Sequence, residues 1–451
     1  MTQQGVRWTA DQVLALAPDA PSRKAGSKLG AAGPWSGAGR GDEGAVWGLC
    51  QGSGGKPYRT AVDLADAAGP AFTCSCPSRK FPCKHALGLL LLWAGGEDAV
   101  PVGQPPDWAR EWVAGRRKRA EGKGADAASG AGSGAADPEA ARRRAERRAE
   151  RISAGTAELE QRLADLVRGG LAGAEQAGYG PWEETAARMV DAQAPGLASR
   201  VRELGAIPAS GPGWPVRLLE ECALLHLLDR GWQRRADLPE RLAATVRSRV
   251  GLPTSAEGPP VRDDWLVLAQ YDTADARLTT RRIWLYGAGT GRTVLLLSYG
   301  AAGRAPEVAL PVGLASDAEV AAYPGTGQLR GALGRQFAPP SPTSTRPPGV
   351  TTATAAARYG AALRDDPWLE SVPVTLDRVI PTPDGDTWHL ADADEDNALP
   401  LTPAARSRPG LWRLVALSGG APIKVFGEYG PQGFTPLTAW PTPPNPPIQL
   451  H

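Results

Sequence analysis

Phe72-Thr73-Cys74-Ser75-Cys76-Pro77-Ser78-Arg79-Lys80-Phe81-Pro82-Cys83-Lys84-His85 is the stretch on which the reading of this chain turns. Its three thiols and one imidazole follow the spacing C-x-C-x6-C-x-H, a set of soft to borderline donors within one short window. Zinc takes four such ligands in a tetrahedron, with sulfur at about 2.3 Å and nitrogen at about 2.0 Å. Cys74, Cys76, Cys83 and His85 are therefore expected to hold one structural zinc ion. The set is complete, so no position remains for a catalytic water, and metal binding at such a site is itself folding free energy. The competing readings are a chance cluster of buried thiols, ferrous iron, and a redox dithiol at Cys74 and Cys76. Pro77 and Pro82 stiffen the intervening loop and remove amide donors from it.

Outward from the ligands, the pattern upstream is β and downstream is helical. Ala45–Cys50 and Tyr58–Leu64 read as strands joined by Gly52-Ser53-Gly54-Gly55, a hairpin signal, and Ala71-Phe72-Thr73 reads as a third. After Cys83, Leu87, Leu90 and Leu91 recur at spacings of three and four up to Gly95-Gly96, which predicts a helix. Cys83 and His85 then sit at the positive end of that helix, which favours thiolate charge. On these residues the segment resembles the SWIM zinc finger: Pro77 after the second Cys, Pro82-Cys83-Lys84-His85-Ala86 and the leucine run all fit that family over roughly residues 40–95. The stretch Pro181–Leu204, with Arg188-Met189-Val190-Asp191-Ala192-Gln193-Ala194-Pro195-Gly196-Leu197-Ala198, is similar to the larger bacterial proteins that carry this finger. The resemblance implies zinc binding and an association with DNA or with other proteins. It implies no reaction.

At 451 residues, with 42% apolar side chains, the chain fills two or three domains rather than one. Its 55 Gly and 43 Pro call for extensive loops. The expected class is α+β multidomain: a small β-hairpin/helix zinc finger, a helical middle region and a β-rich C-terminal region. The boundaries read as 1–106 for the finger domain, 107–136 for a basic, Gly/Ala/Ser-rich linker, 137–252 for a helical domain and 253–451 for a β-rich α+β region with Pro-rich breaks. Pro105-Pro106-Asp107 opens a short helix with Trp108 and Trp112 on one face, and residues 121–136 hold no large apolar side chain. Asp137-Pro138-Glu139 opens a long helix whose stripe Ala145, Ala149, Ile152, Thr156, Leu159, Leu163, Leu166 packs in its second half, while its arginines, interleaved with Glu146 and Glu150, form a solvated face. Helical periodicity follows over Trp182–Leu204, Val216–Trp232 and Pro239–Val250. The period then changes to two in Trp265–Tyr271, Arg281–Tyr286 and Thr293–Tyr299, a meander, and Leu411–Trp440 is expected to hold two or three more strands before a trailing Pro-rich end.

Net charge is only +2, with a mildly basic first third and a mildly acidic remainder. That falls short of the excess of a dedicated nucleic-acid binder. Arg79, Lys80 and Lys84 nevertheless make a positive patch on the finger loop, free of acidic residues between Phe72 and Trp93, and are the candidate nucleic-acid contacts. Cys50 and Cys222 read as ordinary buried thiols, His226 amid leucines as a core histidine, and Asp392, Asp394 and Asp396 as a solvated turn rather than a calcium loop. With four histidines and none of G-x-x-x-x-G-K-[ST], H-E-x-x-H or G-x-S-x-G, enzyme machinery is not expected. The N-terminus lacks a leader pattern and the longest apolar run, Ala86–Ala94, is about half a membrane span. A cytoplasmic protein-interaction or adaptor module with a protein partner and no membrane role is expected; the alternatives are a DNA-binding regulator and, behind it, an enzyme with a polar, carboxylate-bearing pocket in residues 260–440.

Overall fold

The computed structural model describes residues 8–451 apart from 19, 42–43, 53–54, 66–69, 79, 81, 97, 117–137, 257, 275–277, 302–305, 307, 326–328 and 442–444. Two short helices, α1 (Ala10–Leu14) and α2 (Ala20–Ser27), precede a four-stranded antiparallel sheet of β1 (Trp35–Arg40), β2 (Ala45–Cys50), β3 (Tyr58–Asp63) and β4 (Ala71–Cys74) in that order. Helix α3 (Lys84–Ala94) lies across it, burying Leu87, Leu89, Leu90 and Leu92 against Val46, Val62 and α1. The first strand is additional to the three expected. Trp35-Ser36-Gly37-Ala38-Gly39-Arg40 has no period-two pattern, and Gly39 is needed because a side chain there would run into the Trp47 ring. The 107–116 segment forms helix α4, whose Ala109 and Val113 pack on Ala45, Trp47 and Ala61, with Trp108 and Trp112 half-buried beside them. The Gly/Ala/Ser-rich remainder of the expected linker lies outside the described residues.

The helical region comprises α5 (Pro138–Gly169), α6 (Gly173–Ala177), α7 (Gly180–Asp191), α8 (Pro195–Leu204), α9 (Trp214–Gln233) and α10 (Glu240–Val250). Ile152, Leu159 and Leu163 of α5 enter one core with Met189, Leu197, Val201, Leu225, Leu228 and Trp232, whereas Arg142 and Arg143 pair along the exposed face with Glu146 and Glu139. The single helix expected over Trp182–Leu204 is two. Gln193 takes a left-handed φ of 62° and Pro195 starts α8 at its first turn, where a missing N–H costs nothing. His226 is a correction to the sequence reading: it is exposed and faces Glu160 at 3.8 Å, because the buried phase of α9 runs through Leu218, Cys222, Leu225, Leu228 and Trp232. Cys222 and Cys50 are buried free thiols.

Six strands follow: β5 (Val261–Ala274), β6 (Leu278–Gly287), β7 (Thr293–Ala301), β8 (Leu314–Ala322), β9 (Arg330–Gln336) and the short β10 (Ser341–Pro342). β5, β6 and β7 form the expected meander; β8 pairs with both β5 and β9, and β9 pairs parallel with β7. The ring β8-β5-β6-β7-β9-β8 therefore closes into a five-stranded barrel filled by Trp265, Val267, Ile283, Leu285, Val294 and Leu296. Gln12 Nε2 donates to the Val312 carbonyl at 3.1 Å and Leu314 joins the core of the N-terminal module, which thereby sits on the barrel.

After α11 (Thr352–Asp365) comes an antiparallel sheet built from β11 (Val372–Asp384), β12 (Thr387–Asp392), β13 (Ala398–Pro400), β14 (Ile423–Gly430), β15 (Gly433–Trp440) and β16 (Ile448–Gln449), with α12 (Pro403–Arg406) and α13 (Pro409–Ser418) inserted before β14. One face covers α11 and α13; the other lays Phe426, Leu437 and Trp440 on the outside of the barrel. Leu411–Trp440 thus holds two of the expected strands, β14 and β15, and begins as helix over Leu411–Ser418, with Pro409 in the first turn of α13 and Gly419 left-handed at its end. Residues 442–444 of the trailing Pro-rich run lie outside the described residues, and beyond it Ile448 and Gln449 pair with β15. The Asp392 turn is not merely solvated: Asp392 accepts from the Thr352 amide and hydroxyl at the start of α11, and Asp394 pairs with Arg378 at 2.7 Å.

Candidate metal centre

Three elements deliver the four ligands. Cys74 closes β4, opposite Thr60 of β3; Cys76 follows in the turn; Cys83 is the N-cap of α3 and His85 lies in its first turn. The turn is fixed to the sheet edge by a pair of bonds, the Ser75 amide to the Arg59 carbonyl and the Arg59 amide to the Ser75 hydroxyl, each 3.0 Å. Cys83 holds φ −74° and ψ 166°, the extended geometry of an N-cap, so its side chain projects at the open end of α3.

All four donor atoms lie within 4.8 Å of one another. His85 Nδ1 stands 3.7 Å from Cys74 Sγ and 4.0 Å from Cys83 Sγ. A tetrahedral zinc with ordinary bond lengths sets its ligand atoms about 3.6–3.8 Å apart, so the two His85 separations are close to those of a zinc shell and the cluster as a whole is somewhat wider. Cys83 and His85 are buried, Cys74 and Cys76 partly so. The electrostatics point the same way. Hydrogen bonds from Cys83 first, then from His85, the Thr60 hydroxyl and the Cys76 amide, lower the Cys74 pKa to about 3 despite burial. Cys83 is held well above the ordinary thiol range by that hydrogen bond to Cys74 and by burial, and Cys76 is raised chiefly by burial. Of the three thiols, Cys74 is the one whose surroundings favour the thiolate. Ionising all three needs a cation, and a divalent metal is the natural one.

Two residues outside the ligand set complete the surroundings. Thr60 Oγ1 lies 3.3 Å from Cys74 Sγ, and the Tyr58 ring packs on His85 with centroids 4.8 Å apart. Sequence reading placed both on a strand without connecting them to the site. Only the β3–β4 register, which sets Thr60 against Cys74, makes the link. Of the candidate nucleic-acid contacts, Lys80 and Lys84 are exposed beside the site, and Arg79 lies outside the described residues.

A family profile of the SWIM zinc finger matches residues 69–94. The chain carries a SWIM zinc finger. A second profile, the SWIM-associated four-helix bundle domain, matches residues 147–250, from within α5 to the end of α10. The two profiles together cover under a third of the chain. No curated protein and no solved structure matches it. The SWIM finger's Cys74, Cys76, Cys83 and His85 are positioned to bind one zinc ion, and the four donors leave no open coordination position for chemistry. Among the described residues, no helix is long and apolar enough to cross a membrane.

Proposed function

We propose that this chain is a non-catalytic cytoplasmic adaptor whose SWIM finger recognises a protein partner while the bundle, the barrel and the C-terminal sheet carry further contacts. The observation that supports this reading is the closed ligand set combined with an exposed turn. The zinc shell has no free position, and Ser75, Pro77, Ser78, Lys80 and Lys84 face solvent around it. A structural metal that fixes an exposed loop on a sheet edge presents a surface; it does not activate a water. The finger is also anchored at its other end, through α1, on the barrel, so a partner held at the turn is held rigidly relative to the rest of the chain.

A second reading draws on Lys80 and Lys84, with Arg79 beside them in sequence: a DNA-binding regulator that uses the same turn. The two are separated by one set of measurements. Plasma mass spectrometry of the purified chain is expected to give about one zinc per molecule, lost in Cys76→Ser. In a DNA-shift assay at two salt concentrations, the adaptor reading expects no binding through the turn. Salt-sensitive binding that disappears in the Lys80→Ala/Lys84→Ala double variant would replace the adaptor by the regulator. Folded, metal-free protein would overturn both.

A further inference from the structure

The barrel carries a cleft independent of the finger. Numbered from its own first strand, its order is 4-1-2-3-5-4, with a single parallel pair between the third and fifth strands, β7 and β9. Its first strand, β5, is long, bulges between Val267 and Ala269, and pairs with both neighbours. This is the connectivity of the OB barrel, a five-stranded Greek key that engages oligonucleotides and oligosaccharides on the outer face of its second and third strands beside the loop joining strands four and five. Fold alone does not give function; the side chains on that face must supply it.

Its open edge offers arginines and the Tyr323 ring, Trp284 itself being buried beneath the C-terminal sheet. Trp284 of β6 pairs with Leu295 of β7, which pairs with Arg330 of β9, and Arg282 lies two residues from Trp284 on the same face. These four line a cleft of about 330 Å³ together with Tyr323 of the β8–β9 connection and Arg249 of α10. The Arg330 guanidinium lies 4.4 Å from the Tyr323 ring centre. The Nε atoms of Arg282 and Arg330 are buried without a hydrogen-bond partner, and among the described residues neither side chain pairs with a carboxylate. Other arginines of the barrel are treated differently: Arg281 and Arg262 pair with Asp272 and Asp317 at 2.7 Å. The acidic residues of the cleft are Asp366, already paired with Arg249 at 2.9 Å, and Glu370. A second cleft of about 480 Å³, sharing Tyr323, Pro324 and Gly325, continues past Arg241 and Arg247, with Glu240 its acidic member. The other half of the barrel face is closed by the C-terminal sheet, where Phe426 packs on Trp284 and Glu428 accepts from Tyr271 and Trp284.

We propose that this cleft binds a short stretch of single-stranded nucleic acid, with phosphates on Arg282 and Arg330 and a base against the Tyr323 ring. Half-buried guanidinium groups without a carboxylate partner, Arg282 beside the Tyr271 hydroxyl and Arg330 on the Tyr323 ring, match phosphate oxygens in geometry and charge. An arginine laid on an aromatic ring forms a stacking platform that every base can use. Continuity with the second cleft suits a strand rather than an isolated anion, and a base can lie against the Tyr323 ring only when it is free of a partner strand.

The test uses the full, zinc-loaded chain and fluorescence anisotropy with labelled oligo(dT), oligo(U) and a duplex. Single strands are expected to bind, and the duplex about tenfold more weakly or not at all. The log–log salt slope should be about −1.4, from two phosphate-facing arginines at about −0.7 each. Arg282→Ala, Arg330→Ala and the loop variant Tyr323→Leu should each weaken binding about fivefold or more, whereas Lys80→Ala/Lys84→Ala should leave it unchanged. The last arm separates this site from the finger. Photocrosslinking of 4-thiouridine-substituted oligo(U) to the unmodified chain removes any doubt about variant folding: crosslinks are expected in residues 278–287 or 323–336. Absence of single-strand binding, equal binding of duplex, or crosslinks confined to 71–94 would overturn the proposal.

Discussion

Asp229 sits on α9 with its carboxyl wholly inside the helical core, and no protein donor among the described residues reaches either oxygen. Burial first, and then the charge of Glu160, raise its pKa to about 8. Glu160 itself faces Arg230 at 3.6 Å and His226 at 3.8 Å. An unfolded aspartate ionises near pH 3.9, so between about pH 4 and pH 8 the folded chain keeps a proton that the unfolded chain has released, and stability falls as pH rises through that window. Asp229→Asn removes the ionisation. It is expected to raise stability at pH 8 by about 2 kcal/mol or more and to change little at pH 4, as read from denaturant midpoints; an equal shift at both values would show that the carboxyl is ionised in place. At the metal centre, Thr60→Val deletes the hydroxyl at Cys74 while keeping the shape of the side chain. Outer-shell partners of this kind are worth about tenfold or more in metal affinity, so chelator competition should show that loss, and an unchanged affinity would remove Thr60 from the site.

The helices of the middle region illustrate what periodicity conveys and what it leaves out. The heptad-like stripe of α5 correctly marks Ile152, Leu159 and Leu163 as buried, because an apolar face is a local property of spacing. His226 escaped the same logic: with Leu224, Leu225, Leu227 and Leu228 around it, several phases are available, and the packing of α9 on α5 selects the one that leaves His226 outside. For α13, Pro409 and Gly419 were legible as start and stop signals, but Leu411-Trp412-Arg413-Leu414-Val415 also suits a strand. The contact of α8 with α10 depends on Gly196, where a side chain would strike the Arg249 carbonyl, and on the left-handed Gly251 that ends α10. Gly196→Ala is expected to cost about 2 kcal/mol, measured by urea denaturation. No loss would mean that the two helices can slide apart freely.

At the scale of the whole molecule, the finger combines a zinc ligand set with an apolar core and the remainder rests on apolar cores. The finger's own cluster joins Leu87, Leu89, Leu90, Val46 and Val62 beside the four ligands, whereas among the described residues the bundle, the barrel and the C-terminal sheet have apolar cores and no cluster of metal-ligating side chains. Stripping zinc with a chelator is therefore expected to lower or abolish one calorimetric transition and leave a second in place. A single transition falling as a unit would show that α1, wedged between finger and barrel, couples them. The amino-acid sequence by itself determined the ligand set, the sheet-then-helix order around it and the helical and β-rich succession. Those depend on residues close together along the chain, where spacing is geometry. Tertiary structure alone decided that Thr60 and Tyr58 belong to the metal centre, that β8 and β9 close a barrel, and that Arg249, Arg282 and Arg330 meet in one cleft. Strand register and long-range closure bring those groups together, and no local pattern of charge or hydrophobicity encodes which distant strand a residue will face.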